Sequence, residues 1–129
     1  MNEKMPRDLK ERTRDFALRI IRLYVSLPRS TTAQVIGKQV LRAGTSVGAH
    51  YREACRAKSN ADFVNKLEGA LQELEETGYW LELLGGAGIV SGEMLAALRQ
   101  EAEELIAILV AIVKSTKARG KPQRMEAEG

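Results

Sequence analysis

Residues 32–58 read TAQVIGKQVLRAGTSVGAHYREACRAK and run directly into Ser59-Asn60-Ala61-Asp62-Phe63. At about 100° per residue, Ile36, Val40, Ala43, Val47, Tyr51 and Ala54 fall on one face of a helix, and Lys38, Arg42, Arg52 and Arg56 fall nearly opposite. One face is suited to a core and the other offers positive charge. The stretch fixes an architecture of helix on helix, but it names no reaction.

The same four-three spacing continues on both sides. Over residues 7–27 it uses Leu9, Thr13, Phe16, Ile20, Leu23 and Leu27, with Pro6 near the start and Pro28 beyond the end, where proline is compatible with a helix boundary. Over residues 60–84 it uses Phe63, Leu67, Ala70, Leu74, Thr77, Leu81 and Leu84, with Ser59 as cap and Asp62 in the favourable first turn. Gly85-Gly86-Ala87-Gly88 ends that helix. Over residues 92–117 a Ser91 cap precedes Leu95, Leu98, Ala102, Leu105, Leu109 and Ile112, and Lys114 and Lys117 suit the C-terminal dipole. No segment alternates like a strand and the links are short, so the expected fold is all-α, an antiparallel up-down-up-down four-helix bundle. The bundle occupies residues 1–117, and residues 118–129 are expected to form a flexible basic and polar tail.

A chain of 129 residues, 44% hydrophobic and 29% charged, suits one globular domain. Its net charge of +3 hides a polarised layout. Residues 1–58 hold 13 Lys/Arg and 5 Asp/Glu, residues 59–113 hold 2 and 10, and residues 114–129 hold 5 and 2. The halves attract if they pack side by side, and the basic half presents a local positive field. Cys55 is the single cysteine, which rules out an intrachain disulfide and a Cys-rich zinc site. No signal-peptide pattern opens the chain, and the longest apolar run, 105–113, is too short to span a bilayer. A cytoplasmic protein with no membrane partner is expected.

Ser46, His50 and Glu53 cluster on one flank of the second helix and superficially supply a nucleophile, a base and an orienting carboxylate. One helix face gives no oxyanion hole, and there is no nucleophile-elbow pattern. The expected role is a local hydrogen-bond network at the core edge, touching Arg42 or a neighbouring subunit. A di-iron carboxylate centre needs a Glu-x-x-His pair on each of two helices, whereas this chain has one histidine in the order His50-x-x-Glu53. No metal, no cofactor and no catalysis are therefore expected. The glycine loop at 85–88 follows no strand and lacks the Gly-Lys-Ser/Thr ending of a phosphate cradle.

Cationic side chains supply the functional signal. Lys38, Arg42, Arg52 and Arg56 form a stripe, Lys58 ends the same helix, and Arg12, Arg19 and Arg22 occupy one side of the first helix. Such groups neutralise phosphates without reading sequence, so Lys38, Arg42, Arg52, Arg56, Arg19 and Arg22 are the candidate nucleic-acid contacts. Aromatic residues are only 5% of the chain, which gives base stacking little support. The alternative for the stripe is a solvated or intersubunit face.

Apolar excess points to self-association. The segment from Leu105 to Val113 covers an arc of roughly 200°, wider than one wet-faced helix needs. Tyr79, Trp80 and Leu83 lie off the stripe of their helix. Tyr79, Trp80, Leu83, Ile106, Val110 and Val113 are the candidate oligomer contacts. Gly37, Gly44, Gly48 and Cys55 line one flank of the second helix, where each glycine costs about 1 kcal/mol relative to alanine, and close helix approach is the expected compensation.

The segment Gln39-Val40-Leu41-Arg42-Ala43-Gly44-Thr45-Ser46-Val47-Gly48-Ala49-His50-Tyr51-Arg52-Glu53-Ala54, followed by Ser59, Asp62-Phe63, Lys66-Leu67 and 71–77, resembles the small four-helix-bundle proteins encoded in intervening sequences of bacterial 23S rRNA genes, sometimes labelled S23 ribosomal proteins. The resemblance runs from about Leu9 to Lys117. His50 stands where that family commonly has asparagine. The resemblance implies a bundle that forms ring-like homopentamers and has no assigned enzymatic activity. The family is similar in turn to the accessory variability proteins of diversity-generating retroelements, basic pentamers that partner a reverse transcriptase and nucleic acid. Together these readings give a non-enzymatic, self-assembling bundle that scaffolds or binds RNA or a protein partner. The alternatives are a nucleic-acid-binding accessory protein of a reverse transcriptase and a metal-binding bundle enzyme.

Overall fold

Four helices in sequence order build the molecule: α1 (Leu9–Ser26), α2 (Thr31–Cys55), α3 (Asn60–Gly86) and α4 (Gly92–Glu128). A computed structural model describes residues 8–128, with side chains as far as Gly120. Pro6, the start of the first helix at residue 7 and Gly129 lie outside the described residues.

Each helix begins on a side chain that satisfies an otherwise unpaired backbone N–H. Asp8 accepts from Lys10 N at 3.0 Å, Ser30 from Ala33 N at 3.2 Å, Ser59 from Asp62 N at 3.1 Å and Ser91 from Met94 N at 3.3 Å. The sequence reading anticipated Ser59 and Ser91. At the other end of α3, Gly88 adopts φ 73°, a left-handed conformation that glycine adopts without steric cost, so the chain can turn into α4.

Short links force sequential helices antiparallel, and α1 packs on α2, α2 on α3, and α3 on α4. Phe16 and Ile20 of α1, Val40 and Val47 of α2, Leu67, Leu74, Leu81 and Leu84 of α3, and Leu95, Leu105 and Leu109 of α4 are buried in the core. Thr13, Thr77 and Thr116 are buried too, and each hydroxyl donates back into its own helix, Thr13 and Thr77 at 2.7 Å and Thr116 at 2.9 Å. A threonine can therefore occupy a core position without leaving a polar atom unpaired.

α1 and α4 are the most widely spaced of the neighbouring helices, their backbones coming close at few positions. Along the α1–α2 seam the backbones come close, and a Cβ placed on Gly44 would lie 2.8 Å from Ile20 Cγ1. The glycines of α2 thus buy close approach to α1, as their position suggested, while Cys55 is exposed at the last residue of the helix.

Two expectations need correction. Val113 is not a surface residue but belongs to the core, 7% exposed, and Ile106 is half-buried against that core. Val113 lies eleven residues after Ala102, a separation that returns to within about 20° of the same face of a straight helix. Secondly, α4 does not stop at Lys117 but stays helical to Glu128. The apolar repeat ends earlier because it records packing, and Lys117, Ala118 and Arg119 are all exposed.

Candidate nucleic-acid interface

The packing that buries Val40, Ala43 and Val47 turns the opposite face of α2 outward, and Lys38, Arg42, Arg52 and Arg56 are all exposed on it. They do not form one equivalent set. The Arg42 guanidinium reaches across to α3, with Nη2 2.5 Å from Glu76 Oε1 and Nη1 3.3 Å from Glu73 Oε1. Its pKa is raised, first by the hydrogen bond to Glu76. Lys38, Arg52 and Arg56 make no ion pair with the described residues, so their charge faces solvent.

Beneath the stripe lies a polar seam between α2 and α3. The imidazole of His50 packs on the bare backbone of Gly69, where a Cβ would come within 3.2 Å of Nδ1. His50 Nδ1 is 3.3 Å from Glu53 Oε1, and Nε2 is 3.8 Å from Glu73 Oε2. Neither contact has hydrogen-bond geometry, and Nδ1 is buried without a hydrogen-bond partner among the described residues. Glu73 thus lies between a guanidinium and an imidazole, but the hydrogen-bond network expected among Ser46, His50 and Glu53 does not form: His50 makes no hydrogen bond to either glutamate. Ser46 takes no part. Its hydroxyl donates to the Arg42 carbonyl at 2.7 Å, so the serine is tied to its own helix rather than to His50. Among the described residues no group of three or more His, Cys, Asp or Glu side chains could hold a metal ion.

The three arginines grouped together on α1 are separated by the fold. Arg12 pairs with Glu101 and Glu104 of α4. Arg19 and Arg22 instead line a groove of about 280 Å³ between α1 and α4, together with Leu23, Ser26, Met94 and Leu98. Neither makes an ion pair with the described residues. Since α1 turns Thr13, Ile20, Tyr24 and Leu27 toward α2, this groove opens on a different side of the molecule from the α2 stripe.

Of the candidate oligomer contacts, Tyr79 is 53% exposed and its ring meets that of Trp80 at 5.1 Å with a 58° tilt. Trp80 is half-buried, and its Nε1 is buried with no acceptor among the described residues. Leu83 and Val110 are half-buried. The sequence reading missed the α1–α4 groove, because only α1's half of it, Arg19 and Arg22, carried a visible signal. Met94, 58% exposed, was the available hint on α4.

Among the described residues, no helix is long and apolar enough to cross a membrane. A family model described as 23S rRNA-intervening sequence protein matches residues 7–111. A solved structure of a protein of unknown function from the S23 ribosomal protein family of Bacteroides thetaiotaomicron is 42% identical, with a TM-score of 0.78, over 83% of this chain and 99% of its own. No curated protein matches the chain.

Proposed function

The chain belongs to the family of 23S rRNA-intervening sequence proteins, and from that premise we propose that it acts without chemistry of its own, as a cytoplasmic, self-assembling bundle that contacts RNA through the outer face of α2. The observation that carries this reading is the row of unpaired cations Lys38, Arg52 and Arg56 on one exposed helix face. From Lys38 to Arg56 the helix advances about 27 Å, long enough to meet several phosphates along one strand. No aromatic ring interrupts that row, so the contact is to backbone charge rather than to bases. The small side chain of Ala49 keeps the middle of the face low, which lets a strand approach closely.

A non-enzymatic role is supported by Ser46, whose hydroxyl donates to its own helix, and by His50, which faces two carboxylates. Self-assembly is supported by apolar side chains left in water, above all Val25 at 76%, Val35 and Met94 at 58% and Tyr79 at 53% exposure. Copies arrayed with their α2 faces alike would multiply weak phosphate contacts through avidity.

The test is binding of purified protein to a structured RNA across a salt series. Affinity is expected to fall steeply with salt, because each neutralised phosphate releases counterions. The double substitution Arg52→Ala, Arg56→Ala is expected to weaken binding and flatten that dependence while helicity and assembly mass stay unchanged. No binding at low salt overturns the proposal.

A further inference from the structure

The exposed flank of α3 carries Glu75, Tyr79 and Glu82 on successive turns, an aromatic ring set between two carboxylates. Neither glutamate makes an ion pair with the described residues. The two lie about 10 Å apart along the helix, with Tyr79 between them. The α1–α4 groove is the reverse of this surface. Its floor of Leu23, Leu98 and the exposed Met94 is aliphatic, and Arg19 and Arg22, one turn apart, stand over it without counter-charges.

We infer that the groove takes the α3 flank of a second copy of this chain, with Tyr79 seated between α1 and α4 and Glu75 and Glu82 meeting Arg19 and Arg22. The inference rests on the self-assembly part of the reading above and supplies its contact surfaces. Three observations choose this occupant over a nucleic-acid strand. The groove has an apolar floor and no aromatic ring on which a base would stack. The chain itself presents a face with the opposite charge and an unburied ring. Seating that ring removes apolar area from water on both partners at once, Tyr79 on one and Met94 on the other.

The contact joins two different patches, so it is heterologous. Each copy that docks leaves one groove and one α3 flank unfilled at the ends, and the assembly must close into a ring or grow as a chain. A two-fold dimer built on a single shared patch does not have this property. The distinction gives the test its discriminating arm.

Two variants each remove one patch: Arg19→Glu with Arg22→Glu, and Glu75→Arg with Glu82→Arg. All four side chains are exposed or half-buried, so the fold should survive, which the helical circular dichroism signal checks. By light scattering at tens of micromolar, the wild type is expected at several times the 14.3 kDa chain mass and each variant at the mass of one chain. An equimolar mixture is expected to assemble again beyond single chains, because the native flank of one variant meets the native groove of the other and the reversed flank meets the reversed groove. Tyr79→Ser, which changes no charge, is expected to weaken the wild-type assembly in a concentration-dependent way. Variants that keep the wild-type mass, or a mixture that stays monomeric, overturn the docking mode while leaving self-assembly standing. The same holds if reversing Arg19 and Arg22 abolishes RNA binding with the mass unchanged, since the groove would then serve the strand. A monomeric wild type removes the self-assembly reading itself.

Discussion

Arg12 and Glu101 clasp the most widely spaced pair of neighbouring helices: Arg12 Nε of α1 lies 2.7 Å from Glu101 Oε2 of α4, and Nη2 lies 3.0 Å from Oε1. A third bond runs from Nη2 to Glu104 Oε1 at 2.7 Å. The paired side chains of Arg12 and Glu101 are 18% and 19% exposed, so water screens them only in part. A fork of two parallel N–H bonds holds geometry as well as charge, which a single lysine ammonium cannot reproduce. The hydrogen bond to Glu101 is the chief cause of the raised Arg12 pKa.

Replacing Arg12 with alanine is expected to cost about 2 kcal/mol, because it strands a half-buried carboxylate as well as removing charge-assisted bonds. The urea midpoint should fall with the slope unchanged. Arg12→Lys should recover only part of the loss. A double-mutant cycle with Glu101→Gln isolates the pair, and a coupling near zero would mean that the loss comes from the arginine stem alone.

Gly44 and Gly78 are both helix-interior glycines with opposite expected responses to alanine. A Cβ on Gly44 meets three atoms of Ile20 between 2.8 and 3.2 Å, whereas one on Gly78 meets nothing within 4 Å. Ile20 is fully buried and β-branched, so it cannot swing away. Gly44→Ala should destabilise by about 1–3 kcal/mol through overpacking, despite its gain in helix propensity. Gly78→Ala should stabilise by about 0.5–1 kcal/mol. Comparing the two urea midpoints separates seam packing from propensity.

The core was legible because Phe16, Ile20, Val40, Leu74 and Leu105 repeat with the helical period, and burial follows period. The bases of the α1–α2 approach were legible too, since Gly44 at a core-flanking position has a cost that close packing offsets. The partners of Arg42 were not legible. Which carboxylate of α3 stands opposite depends on the register of an antiparallel pair, a property of the packed pair, in which Gly69 lies against His50, and not of either helix alone. The separation of Arg12 from Arg19 and Arg22 escaped for a similar reason. All three share the side of α1 that faces α4, but only Arg12 meets carboxylates there, whereas Met94 and Leu98 stand opposite Arg19 and Arg22. Val113 shows a limit of another kind, since an eleven-residue return places it beneath a stripe that a seven-residue spacing assigns to Ile112.

Tyr51 should make folding sensitive to alkali. Burial, then a hydrogen bond with Cys55 and the charges of Cys55 and Asp8, push its phenol from 10.0 up to about 12. The folded pKa lies above the unfolded one, so the neutral phenol is favoured by folding. Its contribution is fully present below pH 10 and is lost as pH rises toward 12, because the unfolded chain gives up the proton first. Ultraviolet titration should show one tyrosine ionising at about pH 12. Tyr51→Phe should remove that late step and flatten the decline of stability across the window, and an unchanged decline would assign it to other groups.

Arg42 and Arg56 sit on the same outward face of α2, and the structure separates their roles. Arg42 is held by Glu73 and Glu76, so a phosphate could claim it only by displacing two carboxylates. Arg56 has no ion pair to give up. Arg56→Ala should lower RNA affinity and reduce the magnitude of the salt slope by about 1, with stability nearly unchanged. Arg42→Ala should leave the slope almost as it was and instead cost up to about 1 kcal/mol of stability, since the lost pair is largely solvent-screened. Salt titrations and urea unfolding on the two single variants decide the matter. If Arg42→Ala flattens the slope as much as Arg56→Ala does, the glutamates release Arg42 on binding and the RNA contact extends over the whole stripe; if neither alters it, the α2 face is not where the strand lies.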